Sequence, residues 1–304
     1  MAVRQNTRMV PPDFPAADTP LTERIASALR SDASADRTIE LYDAGFALGK
    51  AIESGTAPDT GRPWMALAFK EAAEGGHPVG WLDLGRCLWN GWGVVESRDQ
   101  ALECYVRSAE LGCPDAFYVV AFNLYWHFQR YEEARPWAEK ALAEDPSGDA
   151  HYLYALMVYN GRGVKKDLAR SVQLHQEAAR RGNADAIFEL ALFHAKGHGV
   201  PADPPRAARL MREAAEKGHP RACFNLGAFH ATGRLPGIDL DLAASMKWYE
   251  RAAELGHGRA AATLGVMYRV GQGVEPDEAH AEYWFGRARE LGVDVPAFLE
   301  EMGL

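Results

Sequence analysis

Apolar residues recur along most of the chain at the spacing of amphipathic helices. In one stretch Trp81, Leu84, Gly85 and Leu88 fall at helical spacing and form a single apolar stripe. A Gly-x-Gly turn follows, and apolar residues then step by four over residues 101–109. This pattern predicts two antiparallel helices joined by a tight turn.

The two-helix pattern repeats. The glycines that close successive units lie 36 residues apart, except for one step of 70, which holds units of 36 and 34, and one step of 38. In the 38-residue unit the second loop glycine is displaced to Gly237. The closing glycines are Gly76, Gly112, Gly182, Gly218, Gly256 and Gly292, and the loop pairs are Gly91 with Gly93, Gly161 with Gly163, Gly197 with Gly199, and Gly271 with Gly273.

The Gly-x-Gly turns have two possible interpretations. A phosphate-binding loop follows a strand, occurs once and has GxGxxG or GxxxxGK[ST] spacing. Here the turn follows a helix and repeats, and it lacks the third glycine or the Lys-Ser/Thr pair. The turns are therefore predicted to be structural, with the glycines at positive φ where each helix ends.

Small residues recur within the predicted helices as well. Since they let neighbouring backbones approach, they are predicted to be packing contacts between antiparallel helices. In the first helices these residues are Gly85, Ala155, Ala191, Gly227 and Gly265, and in the second helices they are Ala101, Ser171, Ala207, Ser245 and Ala281.

Composition restricts the function classes. The chain has 304 residues and a formal net charge of −9, which argues against a nucleic-acid surface and would suit a basic partner. No apolar run approaches the ~20 residues that span a bilayer. No secretory signal is recognised at the start, and the four cysteines form no CxxC motif, so we expect a cytoplasmic protein with reduced, buried thiols and no cofactor.

The repeated string LGxxY-xx-GxGV-xx-D-xx-A-xx-WY-xx-AAExG resembles the Sel-one-like repeat (SLR), a relative of the tetratricopeptide repeat (TPR). The segments LGAFHATG and LGVMYRVGQGV match it well. One unit departs from the pattern, because YEEARPWAEKALAEDP has no Gly-x-Gly before it and resembles the second helix of a TPR. The resemblance implies an all-α, right-handed superhelical solenoid of about seven helix pairs, six SLR-like and one TPR-like.

This interpretation divides the chain into four parts. Residues 1–20 are predicted to be a disordered leader, residues 21–40 an N-terminal capping helix and link, and residues 41–292 the repeat array. Residues 293–304 are predicted to form a C-terminal capping helix.

In families of this type the first helices line a concave groove, and exposed aromatic side chains are favoured anchors for a partner. The aromatic helix at residues 117–128 is either such a surface or an enlarged core, and at least one of Tyr125 and Trp126 is expected to reach the surface. The predicted groove residues are Arg86, Trp89, Asn90, Tyr118, Phe122, Tyr125, Trp126, Tyr159, Asn160 and Lys196.

Catalytic and metal chemistry have weaker support. His194 and His198 lie four apart, but His198 falls inside a Gly-x-Gly turn, so no metal site is predicted. No Ser-His-Asp or Cys-His arrangement is apparent, and a hydrolase-type enzyme is the less favoured class.

The function that the resemblance implies is that of a non-catalytic adaptor that binds a partner protein or peptide. A bacterial immunity protein that neutralises a secreted toxin is the alternative role. No nucleic-acid or membrane partner is predicted, and the sequence does not determine the oligomeric state.

Overall fold

A computed structural model describes residues 19–234 and 238–304. The predicted leader, apart from its last two residues, and Gly237 lie outside these residues. Across the described ranges the chain forms sixteen α-helices and no strands, which confirms the predicted all-α fold. The helices fall into two compact units, which meet in sequence at Glu144 and Asp145.

The first unit holds seven helices and the second holds nine. The first unit consists of α1 (Pro20–Arg30), α2 (Ala35–Glu53), α3 (Arg62–Glu74), α4 (Pro78–Asn90), α5 (Arg98–Glu110), α6 (Pro114–Trp126) and α7 (Tyr131–Ala141). The second consists of α8 (Asp149–Asn160), α9 (Leu168–Arg180), α10 (Ala184–Lys196), α11 (Pro204–Glu216), α12 (Pro220–Thr232), α13 (Leu242–Glu254), α14 (Gly258–Val270), α15 (Glu278–Glu290) and α16 (Val295–Glu301).

The helices between α1 and α16 pack as seven consecutive pairs, as the repeat predicted. Each even-numbered helix from α2 to α14 packs along the helix that follows it. Within each unit the second helix of a pair also packs on the first helix of the next pair, as α3 does on α4 and α5 on α6. The core of each unit is therefore built from repeated local contacts.

Side chains and glycines set where the helices begin and end. Five of the seven second helices start after an Asp or Ser whose side chain accepts a hydrogen bond from the third backbone N–H, as Asp167 does for α9. Three first helices, α4, α12 and α14, start in the same way after His77, His219 and His257, whose Nδ1 atoms act as the acceptors. First helices such as α4 end at a left-handed glycine, here Gly91 with φ 68°.

The start of the repeat array differs from the predicted boundary. Helix α1 begins at Pro20, and α2 begins at Ala35 rather than at residue 41. The cause is Ser34, whose side chain accepts a hydrogen bond from the backbone N–H of Arg37 and caps α2 after a four-residue link. At the other end α16 begins after Asp294, inside the predicted C-terminal cap.

The small residues of the first helices lie where the predicted packing contacts require them. A Cβ atom placed on Gly85 would come within 2.5 Å of the Tyr105 ring, and one on Gly265 would come equally close to Phe285. Gly227 lies in the same way beneath Tyr249. Glycine is needed because the large ring of the second helix takes the space of a side chain.

Small polar residues add hydrogen bonds to the same contact. Ser171 donates to the Ala155 carbonyl at 3.0 Å, and Ser245 donates to the Gly227 carbonyl at 2.8 Å. Both serines are fully buried, so these bonds satisfy a hydroxyl that water cannot reach. The remaining small positions Ala101, Ala191, Ala207 and Ala281 are buried as well.

In three of the four Gly-x-Gly loops the second glycine has a different function from the first. Gly93 has φ 71°, and a Cβ atom on it would lie 2.2 Å from the Arg62 carbonyl oxygen in the preceding pair. Gly199 and Gly273 approach Leu168 and Leu242 of their preceding pairs. The first glycine ends a helix, whereas the second lets two consecutive pairs meet.

Candidate partner-binding surface

The aromatic residues at the ends of α4 and α6 form one cluster. The Trp89 ring lies 4.7 Å from the ring of His127, the residue that follows α6, and the Phe122 ring lies 5.9 Å from the same histidine. Tyr118 extends the cluster, with its ring 5.8 Å from Phe122. All three predicted aromatic residues are half-buried, so each keeps part of its ring at the surface.

Arg86 borders this cluster on α4 and is held by a buried carboxylate. Its Nη1 atom donates to Asp83 Oδ1 at 2.8 Å, and the Tyr42 hydroxyl donates to Asp83 Oδ2 at 3.2 Å. Burial and the negative charge of Asp83 raise the pKa of Tyr42 to about 12, so this hydroxyl keeps its proton. The Arg86 side chain remains half-exposed and is oriented by its ion pair.

The prediction that Tyr125 lies in the groove is wrong. Tyr125 is only 1% exposed, whereas the adjacent Trp126 is 48% exposed. The link from α6 to α7 is short because this pair lacks the Gly-x-Gly loop, and it places the Tyr131 ring 5.2 Å from Tyr125. Tyr125 is therefore a core residue, and Trp126 is the member of the pair that reaches the surface.

The two predicted asparagines lie at the exposed ends of their helices. Asn90 Nδ2 donates to the Arg86 carbonyl, and Asn160 Nδ2 donates to the Leu156 carbonyl, both at 2.9 Å. Each amide thus hydrogen-bonds the carbonyl four residues earlier in its own helix.

A similar aromatic contact occurs in the second compact unit. The Tyr159 ring stacks on Phe193 at 5.7 Å, and its hydroxyl lies 3.4 Å from His198 Nε2. Lys166 lies over the Tyr159 ring, with its Nζ atom 5.8 Å from the ring centre. Lys196, the last residue of α10, is exposed.

Sequence reasoning did not identify His127 and Arg98 as members of the surface cluster. The guanidinium of Arg98 lies 5.1 Å from the centre of the Trp89 ring. A signal for the histidine was present, because His127 and His198 each come just after the end of a first helix and contact the aromatic residue of the preceding pair.

The positions of the histidines, carboxylates, cysteines and apolar helices are also described by the structure. In the described ranges no group of three or more His, Cys, Asp or Glu side chains could hold a metal ion. His194 is buried and His198 is exposed. Within those ranges, too, no helix combines the length and apolar character needed to cross a bilayer. All four cysteines are buried free thiols, as expected.

Comparison with solved structures identifies similar helical repeat proteins. A Sel1 repeat protein from Oxalobacter formigenes is 26% identical with a TM-score of 0.69, and the match covers 88% of this chain and 78% of that one. A protective antigen of uropathogenic Escherichia coli with an SLR fold is 22% identical with a TM-score of 0.58, over 90% of this chain and 60% of that one.

Matches with lower TM-scores include an immunity protein from Pseudomonas aeruginosa, at 18% identity and a TM-score of 0.39, over 89% of this chain and 88% of that one. No curated protein matches the chain.

The family model of the Sel1 repeat matches five segments, which together make up more than half of the chain. The segments are residues 82–113, 148–183, 184–219, 220–257 and 258–293. The pair formed by α6 and α7, which lacks the Gly-x-Gly loop, lies outside them, as does the pair formed by α2 and α3. The chain belongs to the Sel1 repeat family.

Proposed function

We propose that the chain is a non-catalytic scaffold that binds a partner protein or peptide through the exposed ends of its first helices. The observation that carries this proposal is the surface cluster of Trp89, Phe122, His127 and the adjacent, half-exposed Trp126. Large aromatic side chains that are not fully buried in the core are frequent at binding hot spots. Membership of a family whose repeats mediate protein interactions supports the same function.

The charge of the chain supports a basic partner. The formal net charge is −9, and such a charge attracts cationic surfaces and speeds their association. Arg86 and Arg98 are cations at the cluster, and their ion pairs with Asp83 and Glu96 reduce their effect on an approaching cation.

The proposal is tested by capturing partners from a lysate with the full chain and then measuring the affinity of each purified partner. Trp126→Ala and Trp89→Ala should each raise the dissociation constant about tenfold or more, in line with the cost of truncating an aromatic hot spot. Tyr283→Ala is the matched control, because Tyr283 is 59% exposed and lies on α15, in the other compact unit.

Unchanged affinity in both tryptophan variants would contradict the proposal. The identity of the captured protein decides between the two roles. A secreted toxin among the captured proteins would support the immunity role, and a signalling or assembly component would support an adaptor.

A further inference from the structure

A second surface lies on the side of the helix pairs formed by α3, α5 and α7. Between α3 and α5 is a cleft of about 610 Å³, and between α5 and α7 is another of about 370 Å³. Both volumes fall in the range of about 300–1,000 Å³ that is usual for ligand sites. We call them the α3–α5 cleft and the α5–α7 cleft, and α5 is the ridge between them.

Each cleft has an apolar floor that includes a tryptophan. The floor of the α3–α5 cleft is formed by Trp81, Leu84 and Leu88, which belong to the apolar stripe recognised in the sequence. Val95 at its rim is 88% exposed, so the apolar surface continues to the edge of the cleft. The α5–α7 cleft contains Leu124 and Trp137.

A single carboxylate, that of Glu103, lines both clefts. The cations around it have other partners, since Arg107 pairs with Glu110 at 3.3 Å and Lys70 lies 4.0 Å from Glu74. Arg130 pairs with Glu133 in the same way. Within the described ranges Glu103 is exposed and makes no ion pair, so its charge is available to a cationic ligand.

The thiol of Cys104 also lines the α3–α5 cleft but does not provide a reactive nucleophile. Burial, together with the charge of Glu103, raises the pKa of Cys104 to about 11. The thiol is therefore protonated at neutral pH, and the cleft offers binding rather than cysteine chemistry.

We propose that α5 and the two clefts beside it bind an extended segment of a partner protein, with an apolar side chain in each cleft and a basic side chain on Glu103. Alternate side chains of an extended chain point the same way, so residues i, i+2 and i+4 face one surface. Residues i and i+4 lie about 13 Å apart at ~3.3 Å per residue, close to the ~10–12 Å thickness of a helix. The segment has the pattern apolar-x-basic-x-apolar.

This surface is separate from the cluster at the ends of α4 and α6, so the inference goes beyond the proposed function. Trp89, Phe122 and Trp126 do not line either cleft. A partner can therefore bind at one surface while the other remains free.

The test uses the full chain and a fluorescein-labelled peptide, Gly-Ser-Phe-Ser-Lys-Ser-Phe-Ser-Gly, followed by fluorescence anisotropy. The peptide should bind saturably, and Glu103→Gln should raise its dissociation constant about threefold, the effect of losing one exposed ion pair. Glu103→Lys should raise it about tenfold or more through like-charge repulsion. A second peptide with Glu in place of Lys should prefer the Glu103→Lys variant to the wild-type chain.

Three further variants locate the binding. Val95→Asn should weaken binding about twofold, because it removes apolar rim surface without touching the core. Glu254→Gln, on α13 in the other compact unit, and Trp126→Ala, at the end of α6, should leave the dissociation constant unchanged. The Trp126 control separates the failure of this proposal from the failure of the proposed function.

Two outcomes would overturn the inference. One is the absence of saturable binding, or equal binding of both peptides by the wild type and the Glu103 variants. The other is a concentration-dependent dimer that the peptide does not displace and that Glu103→Lys abolishes, because the clefts would then serve self-association.

Discussion

Tyr125 and Trp126 show that the length of one link between helices determines which of two adjacent aromatic side chains is buried. By repeat register Tyr125 matches Trp89 and Tyr159, which are both half-buried at the ends of their helices. In the α6–α7 pair the link is four residues long, so Tyr131 covers the Tyr125 ring and Trp126 is left at the surface. Register alone is therefore insufficient to assign exposure when the neighbouring loop changes.

Substitution of these two residues should separate stability from binding. Tyr125→Ala should lower the free energy of unfolding by about 3 kcal/mol or more, since it removes a buried aromatic ring. Trp126→Ala should lower it by about 1 kcal/mol or less, because the ring is half-exposed. Urea unfolding followed by circular dichroism measures both, and equal losses would show that the two side chains are buried alike.

At the scale of the helix pair, the closing glycine and the second loop glycine are needed for different reasons. Gly112 closes a second helix at φ 84° and has open space where a Cβ atom would lie. Gly93 has a similar φ but faces the backbone of the preceding pair. A substituted residue would have an unfavourable φ at either position. Only at Gly93 would its side chain also clash with the neighbouring backbone.

Alanine substitution should reveal this difference. Gly112→Ala should lower the free energy of unfolding by about 1–2 kcal/mol, because alanine is disfavoured in the left-handed region. Gly93→Ala should cost at least about 2 kcal/mol more, because the Arg62 carbonyl would have to move. Thermal and urea unfolding of the two variants check the order, and a Gly112 variant that is as unstable as the Gly93 variant would contradict the steric explanation.

Much of the pair architecture could be predicted because its causes lie in single residue types at fixed spacing. Gly85, Gly227 and Gly265 mark close approaches that no larger side chain allows. The early start of α2 was missed because the cap at Ser34 is a local hydrogen bond outside the glycine register. The α3–α5 cleft was missed because Trp81 and Leu84 have the same pattern whether a neighbouring helix covers them or leaves a gap.

For the whole molecule, buried histidines make stability depend on pH. His175 is 1% exposed, and burial lowers its pKa from 6.5 to about 4. Below pH 6.5 the unfolded chain takes up a proton that the folded chain does not bind until about pH 4. The free energy of unfolding therefore falls as the pH falls through this window, by up to about 3 kcal/mol for His175 alone.

His175→Met should remove most of that dependence. In the next helix pair the residue that matches His175 is Met211, which packs opposite Ala191. His175 lies opposite Ala155, also an alanine, so methionine should fit at this site. Urea unfolding at pH 7 and pH 4.5 should give a smaller pH effect in the variant than in the wild type. An identical pH effect in both proteins would show that His175 is not the group responsible.

Helix pairing through small residues is tested most directly by a double-mutant cycle on Gly85 and Tyr105. Gly85→Ala should cost about 2 kcal/mol alone, because the added methyl would meet the Tyr105 ring. The matched control Gly286→Ala, inside α15 with open space around it, should instead stabilise the protein by about 0.5–1 kcal/mol. Adding Tyr105→Met places alanine opposite methionine, the combination that Ala191 and Met211 form in the α10–α11 pair. The loss of stability in the double variant should be smaller than the sum of the two single losses by about 1 kcal/mol or more. Additive losses within about 0.3 kcal/mol would show that the ring and the glycine do not share a packing contact.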